Sequence, residues 1–299
     1  MQRCGFVAIL GAPNAGKSTL INEWVGGKVT IVSEKVQTTR TLVRGITVSG
    51  ESQIVFIDTP GIFRPSLRLE KAMVAAAWQG ESEADLTVLV VDASRKKIDK
   101  DTAEIIERLA AQKDERPRVL LLNKVDKADK TNLLALTKTL NDKLDFAATF
   151  MVSALKNDGL GDVLGWLAEK LPEGPWHFPG DDISDMPMRL LAAEITREKL
   201  FRALYQELPY ALAVETETWE DFDNGSVKIS QVIYVARDSH KAIVLGKGGA
   251  QIREIGEASR VELEEILETR IHLKLFVKVQ ENWADDPEKY RLWGLDYSA

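Results

Sequence analysis

Short apolar runs alternate with amphipathic segments through the first half of the chain. The apolar runs predict strands and the amphipathic segments predict helices. Strands are predicted at residues 5–10, 42–49, 53–57, 86–91, 119–122 and 146–152, and helices after residue 19, at 99–113 and at 159–171. Gly50 and Glu51 place a tight turn between the second and third strands, so this pair should be antiparallel. The remaining alternation predicts an α/β fold with a mostly parallel sheet covered on both faces.

A different pattern follows a segment rich in proline, glycine and acidic residues. This segment predicts a linker at 173–187 between a first domain at 1–172 and a second domain, with a C-terminal tail, at 188–299. The second half has the order helix, strand, strand, helix, helix, strand, predicted at 188–207, 211–219, 227–235, 239–245, 250–268 and 271–279. That order is typical of a bacterial (type II) KH domain, an α+β fold that binds single-stranded nucleic acid.

Composition narrows the class of protein and its compartment. The chain has 299 residues, a formal net charge of −7, three histidines and a single cysteine, Cys4. One cysteine excludes a disulfide framework and fits a reducing cytoplasm. No apolar run reaches the roughly 18–20 residues that a membrane helix needs.

The first candidate site is the glycine loop between the first strand and the first helix. Its pattern, G-x-x-x-x-G-K-[ST], cradles phosphates in this context, because backbone N–H groups and the helix N-terminus face an anion. Lys17 is expected to reach the β- and γ-phosphates, and Ser18 to bind Mg²⁺. The residues assigned to nucleotide binding here are Gly11, Ala12, Pro13, Asn14, Ala15, Gly16, Lys17, Ser18 and Thr19.

Two further segments should meet the phosphates. Asp58 ends a predicted strand, and a carboxylate there suits an Mg²⁺ ion held through water, while Gly61 offers a backbone N–H to the γ-phosphate. In the polar segment before the second strand, Thr39 is favoured over Thr38 for closing onto Mg²⁺ and the γ-phosphate. Thr59 and Pro60 complete this part of the predicted site. Ile62 occupies the position at which Ras-like proteins carry a water-orienting glutamine, and it cannot orient water.

The sequence Asn123-Lys-Val-Asp126 predicts the base. The Asp126 carboxylate can accept hydrogen bonds from N1–H and the 2-amino group of guanine, and adenine would leave it unpaired. Lys124 should lie along the base, with Val125 beside it, and Asn123 should tie this loop to the phosphate loop. A backbone N–H within Ser153, Ala154 and Leu155 should meet the guanine O6. A P-loop GTPase domain followed by a type II KH domain is therefore predicted.

The loop Gly246-Lys-Gly-Gly249 lies between two predicted helices of the second domain. Such a G-x-x-G loop clamps the backbone of a single nucleic-acid strand. The RNA-binding residues assigned are Ile243, Val244, Gly246, Lys247, Gly248, Gly249, Ile252 and Arg253. From Trp176 onward there are 15 lysines and arginines against 23 aspartates and glutamates, a net charge near −8. This acidity favours a defined RNA over bulk nucleic acid, and no DNA partner is expected.

Asn14 has two interpretations. Together with Thr38 and Thr39 it resembles the potassium-dependent branch of translation-factor-related GTPases, in which an asparagine at this position helps to hold K⁺ against the phosphates. The alternative is a residue that simply favours the turn. Lys17, Asn14, Thr39 and Gly61 are the candidate catalytic residues, and Ser18, Thr39 and Asp58 the candidate Mg²⁺ ligands.

Taken together, the whole chain resembles the Era family of bacterial ribosome-assembly GTPases. The resemblance is carried by GAPNAGKST, QTTR, DTPG, NKVD, SAL, EITREKL, ELPY, GKGGAQI and VKVQENWADD. It implies hydrolysis of GTP to GDP and phosphate, and binding to small-subunit (16S) ribosomal RNA near its 3′ end. It also implies a role in assembling the small ribosomal subunit (30S) and a peripheral association with the inner face of the cell membrane.

Two alternative functions remain open at this stage. The chain could be an RNA-binding module that nucleotide merely gates, with negligible turnover. It could also be a K⁺-dependent GTPase of the tRNA-modification type, although the G-x-x-G loop and the single cysteine disfavour that interpretation.

Overall fold

A computed structural model describes residues 1–33, 35 and 39–299 of the chain. The described residues form two compact units. The first unit comprises residues 1–30, 39–185 and 291–299, and the second comprises 186–290 with residues 31–33 and 35.

A six-stranded sheet forms the centre of the first unit. Its strands are β1 Arg3–Leu10, β2 Val43–Ser49, β3 Ser52–Asp58, β4 Leu86–Asp92, β5 Arg118–Asn123 and β6 Ala148–Met151. The strand order is β2-β3-β1-β4-β5-β6. Only β2 runs antiparallel to its neighbour, so the predicted hairpin and mostly parallel sheet are confirmed. Every residue of β3 is buried, as expected for a strand covered on both faces.

Helices connect these strands, and most of their ends follow from local sequence. They are α1 Lys17–Val25, α2 Arg68–Ser82, α3 Lys100–Ala111, α4 Lys130–Asn141 and α5 Leu160–Lys170. The Asp99 carboxylate accepts from the Thr102 N–H at the start of α3, and Gly26 ends α1 with a φ of 72°. The sequence analysis missed α2, which lacks a capping residue directly before it. Instead, Glu70 accepts from the N–H groups of Ser66 and Leu67.

The segment after α5 packs against the first unit. The Gln53 side chain accepts from the His177 and Phe178 N–H groups at 2.9 and 3.0 Å, and Gly45 bridges Ser184. These contacts explain why residues up to 185 belong to the first unit, although a linker was expected at 173–187. The last residues also lie in this unit, where the Arg68 guanidinium lies 4.6 Å from the Tyr297 ring centroid. The predicted domain boundaries stay a prediction.

The second unit has the predicted order of elements. They are α6 Met188–Ala203, β7 Leu212–Asp221, β8 Val227–Val235, α7 Asp238–Leu245, α8 Ala250–Leu267 and β9 Ile271–Val279, and α9 Pro287–Leu292 follows them. The sheet order is β7-β8-β9, with β7 antiparallel and β9 parallel to β8. The α+β fold predicted for this half is confirmed.

One helix of this unit is shorter than predicted. The predicted helix ran to Glu207, but α6 ends at Ala203. Leu204 is already extended, with φ −97° and ψ 157°, and Gln206 has a positive φ of 56°, so the last predicted turn is not helical. No helix in the described parts of the chain is both long and apolar enough to cross a membrane.

Candidate functional site

The glycine loop follows β1 and leads directly into α1. Gly16 has a φ of 98°, and a Cβ there would lie 2.2 Å from the Asn123 side-chain nitrogen, so a larger residue does not fit. The Lys17 ammonium crosses the loop and donates to the carbonyls of Gly11 and Ala12 at 3.1 and 3.2 Å. Burial lowers the pKa of Lys17 to about 8, although the Asp58 charge opposes the shift. The loop therefore presents a buried cation beside its backbone N–H groups.

Oxygen atoms gather where β3 ends. Oδ2 of Asp58 accepts from Ser18 at 2.9 Å and from Thr30 at 2.7 Å, and the Thr39 hydroxyl lies 3.1 Å from that of Ser18. Burial raises the pKa of Asp58, while Lys17 and the three hydroxyl hydrogen bonds lower it in part. Among the described residues, Oδ1 of this fully buried carboxyl has no hydrogen-bond partner. A buried carboxylate oxygen beside two hydroxyls is a donor set that suits Mg²⁺.

The structure thus brings together the three predicted Mg²⁺ ligands, namely Ser18, Thr39 and Asp58. Thr38 lies outside the described residues. Thr30 was not singled out from the sequence, because a lone threonine in a polar segment carries no spacing signal.

The loop after Asp58 lies against the glycine loop. The Thr59 hydroxyl donates to the Ile9 carbonyl at 2.7 Å, and the Ile62 N–H donates to the Gly11 carbonyl at 3.2 Å. A Cβ on Gly61 would come within 3.0 Å of Pro13, so glycine allows the close approach. The Ile62 side chain is buried and has no polar atom with which to hold a water molecule.

Asn123 joins three loops at the end of β5. Its amide nitrogen donates to the Ala15 carbonyl at 2.9 Å, and its amide oxygen accepts from Lys124 and Ala154 N–H at 2.8 and 3.1 Å. The Ser153 hydroxyl donates to Asp126 at 2.6 Å, which orients the carboxylate assigned to guanine. The three sequence-distant segments predicted to bind the nucleotide therefore meet at one edge of the sheet.

Asp92, at the end of β4, supports Lys124 in a way the sequence did not reveal. The Lys124 ammonium lies 2.7 Å from the Asp92 carboxylate and 2.6 Å from the Asn14 carbonyl. Burial raises the pKa of Asp92, but hydrogen bonds from Lys124 and Ser94 outweigh it and hold the pKa below its usual value. Its position at the end of β4, like that of Asp58 at the end of β3, is the sequence signal that could have found it.

The remaining nucleotide-site residues vary in exposure. Ala12 and Ala15 are buried, whereas the Leu155 side chain is exposed. Any contact of the Ser153–Leu155 segment with a base would therefore come from its backbone. Of the other assigned residues, Pro13 lies in the glycine loop, Thr19 in α1, Pro60 in the loop after β3 and Val125 in the turn after β5.

The second candidate site is the loop between α7 and α8 in the second unit. Gly246, Gly248 and Gly249 have φ values of 70°, 61° and 76°, which L side chains rarely adopt. A Cβ on Gly248 would meet nothing within 4 Å, so the outside of the loop is open. Lys247 and Arg253 are exposed beside it.

The side chains predicted to form an apolar groove for bases differ in exposure. Ile243 is exposed and Ile252 half-buried, but Val244 is fully buried in the core with Leu200 and Ile233. Val244 therefore cannot line a groove, and its assignment to RNA contact is corrected. Adjacent helical residues point about 100° apart, so Ile243 and Val244 cannot both face the same surface.

Comparisons with known proteins agree with this geometry. Residues 6–124 match the family described as 50S ribosome-binding GTPase, and residues 207–284 match the KH domain family. The chain is 58% identical to GTPase Era of Rhizobium meliloti, over 99% of this chain and 93% of that protein. It is 59% identical to GTPase Era of Sinorhizobium medicae, over 99% and 94%.

Two solved structures extend the likeness to the whole fold. One is a variant of Aquifex aeolicus Era bound to GDP and AlF₄⁻, at 38% identity and a TM-score of 0.91, covering 98% of this chain and 99% of that one. The other is Era in complex with MgGDPNP and nucleotides 1506–1542 of 16S ribosomal RNA. It matches at 38% identity and a TM-score of 0.92, with the same coverage.

Proposed function

This chain belongs to the Era family of GTPases, and from that premise we propose that it is a GTP-controlled switch that binds the 3′ end of 16S ribosomal RNA and assists small-subunit assembly. The hydrolysis of GTP to GDP and phosphate is the activity of the family. The observation that carries the RNA part is the open Gly246–Gly249 loop with its exposed Lys247, placed between two helices of a KH fold. A related Era structure holds nucleotides 1506–1542 of 16S ribosomal RNA, which names the first RNA to test.

The nucleotide-site residues have separate roles in this proposal. Asp126, oriented by Ser153, accepts from the guanine N1–H and 2-amino groups. Lys17 exchanges its loop carbonyl partners for the β- and γ-phosphates, and the Gly61 N–H donates to the γ-phosphate. Mg²⁺, when held by Ser18, Thr39 and Asp58, neutralises charge on the phosphate oxygens.

Potassium is a finer part of the proposal. Ile62 supplies no polar group to the attacking water, and an additional cation held by Asn14 would supply positive charge near the phosphates. The competing explanation is conformational, because Asn14 has a φ of 63°, which asparagine adopts more readily than most residues.

Hydrolysis rates in K⁺ and in Na⁺ of equal ionic strength distinguish these explanations. Asn14→Gly keeps the left-handed backbone accessible and removes the amide, so it should lose any K⁺ preference while still binding GDP. Equal rates in both salts for the unmodified protein would refute the potassium proposal, as would a K⁺ preference that survives in Asn14→Gly.

RNA binding is tested at the Gly246–Gly249 loop. Changing both Lys247 and Gly248 to Asp should abolish binding of an RNA spanning nucleotides 1506–1542, since like charge repels the phosphates. The matched control is Lys247→Asn with Gly248→Asn, which has nearly the same shape without the negative charges and should weaken binding less. GTP affinity should be unchanged in both. Unchanged RNA affinity in the folded aspartate variant would refute the assignment.

The switch itself is tested by comparing RNA affinity with GDP, with GDPNP and without nucleotide at one salt concentration. We expect GDPNP to tighten RNA binding by a factor on the order of 5–150, and linkage then requires RNA to tighten GDPNP by the same factor. Identical RNA affinities in all three states would show that nucleotide does not control RNA binding.

An alternative function is a nucleotide-gated RNA module with negligible turnover. Its support is Ile62, which leaves the water without an orienting side chain. Single-turnover GTP hydrolysis with and without the 1506–1542 RNA separates the two, because a switch that hydrolyses GTP should be accelerated by its RNA.

Peripheral membrane association at the inner face of the cell membrane is also proposed, and it rests on family resemblance alone. Flotation of the protein with anionic phospholipid vesicles tests it, with neutral vesicles as the control. Recovery in the bottom fraction with both vesicle types would refute it.

A further inference from the structure

We propose that the outer face of β9 is a second RNA-contacting surface, on which Phe276 stacks with a base and Lys274 and Lys278 contact phosphates. The inference rests on the proposed RNA-binding function and adds a site outside the Gly246–Gly249 loop.

The side chains of β9 alternate strictly between two environments. Leu275, Val277 and Val279 pack against the core beneath the helices. Lys274, Phe276 and Lys278 point to the opposite face and are exposed. Phe276 is 54% exposed, so more than half of its surface is open to solvent. The aromatic ring therefore stands between two cations spaced by the pleat of one strand.

This strand is basic within an acidic domain. Residues 269–280 contain Arg270, Lys274 and Lys278, with no aspartate or glutamate. Two other lysines of the unit are paired with carboxylates, Lys228 with Glu220 and Lys289 with Glu215. In the described part of the chain, neither Lys274 nor Lys278 forms an ion pair. The Lys278 ammonium lies 5.8 Å from the Tyr234 ring centroid, a contact that leaves its charge, like that of Lys274, able to meet an anionic partner.

Strand β8 pairs with β9 and supports its outer face. Ser230, Val232 and Tyr234 of β8 lie directly opposite Lys274, Phe276 and Lys278. The Tyr234 ring is covered by the Lys289 ammonium at 3.6 Å, so it is not free to stack with a base. His272, the other exposed ring on this face of β9, lies edge-on to Phe222 with the ring centroids 6.2 Å apart. Phe276 is therefore the ring we assign to stacking with a base.

The location is continuous with the proposed RNA loop. Strand β9 is an edge of the sheet, and Val244 of α7 and Ile255 of α8 share its core cluster. The helices that carry the Gly246–Gly249 loop thus pack on the inner face of this same strand. An RNA strand leaving the loop along the free edge of β9 meets the outer face within a few nucleotides.

Charge decides between RNA and a protein partner. A protein-binding patch would gain from further apolar neighbours, whereas the side chains that flank Phe276 along the strand are lysines. An aromatic ring between cations is the arrangement that binds single-stranded nucleic acid without sequence preference, through stacking and phosphate contacts.

The test measures the affinity of a fluorescein-labelled RNA spanning nucleotides 1506–1542 in the presence of Mg²⁺ and GDPNP. Phe276→Ala should weaken binding about tenfold, and Phe276→Trp should restore it, because stacking survives in tryptophan. Lys274→Gln and Lys278→Gln should each reduce the slope of log affinity against log salt by about 0.7. Lys228→Gln is the matched control, since it changes the net charge equally on the same face but removes a lysine already paired with Glu220.

The outcomes separate this site from the loop. If the Lys247→Asp, Gly248→Asp variant loses binding while Phe276→Ala binds as well as the unmodified protein, the β9 site is wrong and the loop stands. If the unmodified protein does not bind this RNA, the proposed RNA-binding function is wrong, and the β9 site is wrong with it. Weaker binding of Phe276→Ala to small ribosomal subunits with unchanged RNA affinity would mean a protein partner, which also overturns the inference. Crosslinking of 4-thiouridine-substituted RNA to the 271–279 peptide would support it directly.

Discussion

The nucleotide site and the RNA-facing surface are built in opposite ways. Asp58 and Asn123 are 0% and 1% exposed, and each is held by several hydrogen bonds. Ile243 and Phe276, in contrast, are 52% and 54% exposed. An enclosed site recognises a small ligand through a few strong polar contacts, whereas an open surface binds a flexible polymer through several weaker ones. Single substitutions should therefore have large effects in the first region and smaller effects in the second.

The two regions also differ in what fixes their shape, which is side-chain hydrogen bonds in one and backbone conformation in the other. In the nucleotide site, side chains such as Asn123 position the loops. In the Gly246–Gly249 loop the backbone itself is shaped, with three glycines at positive φ, and the side chains project into open space. Substitutions of side chains should thus disturb structure in the first region and only contacts in the second.

The largest expected effect is on base recognition. Asp126→Asn should weaken GTP binding on the order of 10²–10⁴-fold, because two hydrogen bonds to a charged group are lost and each is worth roughly 1.5–3 kcal/mol. The variant should gain affinity for xanthosine triphosphate, whose 2-carbonyl accepts from the new amide. Competition of XTP, GTP and ATP against a fluorescent nucleotide measures both changes.

Ser153→Ala is the matched control for that experiment, because it removes the hydrogen bond that orients Asp126 but keeps the carboxylate. It should weaken GTP binding without creating affinity for XTP. Competition by ATP as strong as by GTP in the unmodified protein would contradict the assignment of guanine to this loop.

The next effect is on the junction of loops at Asn123. Asn123→Ala loses three hydrogen bonds and should lower the free energy of unfolding by about 2–3 kcal/mol, since buried donors and acceptors lose their partners. Asn123→Asp keeps the acceptor for Lys124 and Ala154 but loses the donor to Ala15. Chemical denaturation with and without GDP measures how much GDP raises the free energy of unfolding of each variant. We expect no increase for the aspartate variant, because the link from Asn123 to the glycine loop is lost. GDP stabilisation equal to that of the unmodified protein would show that the junction is not needed for nucleotide binding.

The same difference explains what could be predicted from the sequence. The nucleotide motifs have defined residues at defined positions after strands, so Lys17, Asp58 and Asp126 were found and the fold followed from the alternation around them. Thr30 and Asp92 were not assigned roles, because their contacts depend on how distant loops meet. The burial of Val244 was missed for a related reason. A short helix of eight residues offers too few turns for its apolar face to be located from periodicity.

Exposed surfaces are harder still to predict from sequence. The alternation of β9 located the strand at 271–279, but it did not reveal which face was covered by helices. The meaning of Phe276 and its flanking lysines therefore depended on the packing of α7 and α8.

A pair of adjacent residues tests the contrast within one helix. Val244→Ala should lower the free energy of unfolding by about 2 kcal/mol, because it leaves a cavity in the core. Ile243→Ala should leave the stability unchanged and weaken RNA binding. Thermal unfolding and RNA anisotropy on both variants check this, and the assignment of Ile243 to the RNA surface is wrong if the RNA affinity of its variant is unchanged.

The smallest expected effect is a pH dependence that belongs to the enclosed region. Burial lowers the pKa of Lys17 in the nucleotide-free protein to about 8, so the ammonium loses its proton as pH rises above that value. Phosphates favour the charged form, and binding must then take up a proton. GDP affinity should accordingly be constant below pH 7.5 and fall by up to about tenfold per pH unit above pH 8.

Calorimetry in two buffers of different ionisation enthalpy measures the proton uptake directly. Lys17→Arg is the control, because arginine does not titrate in this range, and any pH dependence that it retains belongs to groups other than Lys17. Equal pH profiles for the two proteins would show that Lys17 keeps its proton throughout, and that burial does not lower its pKa into this range.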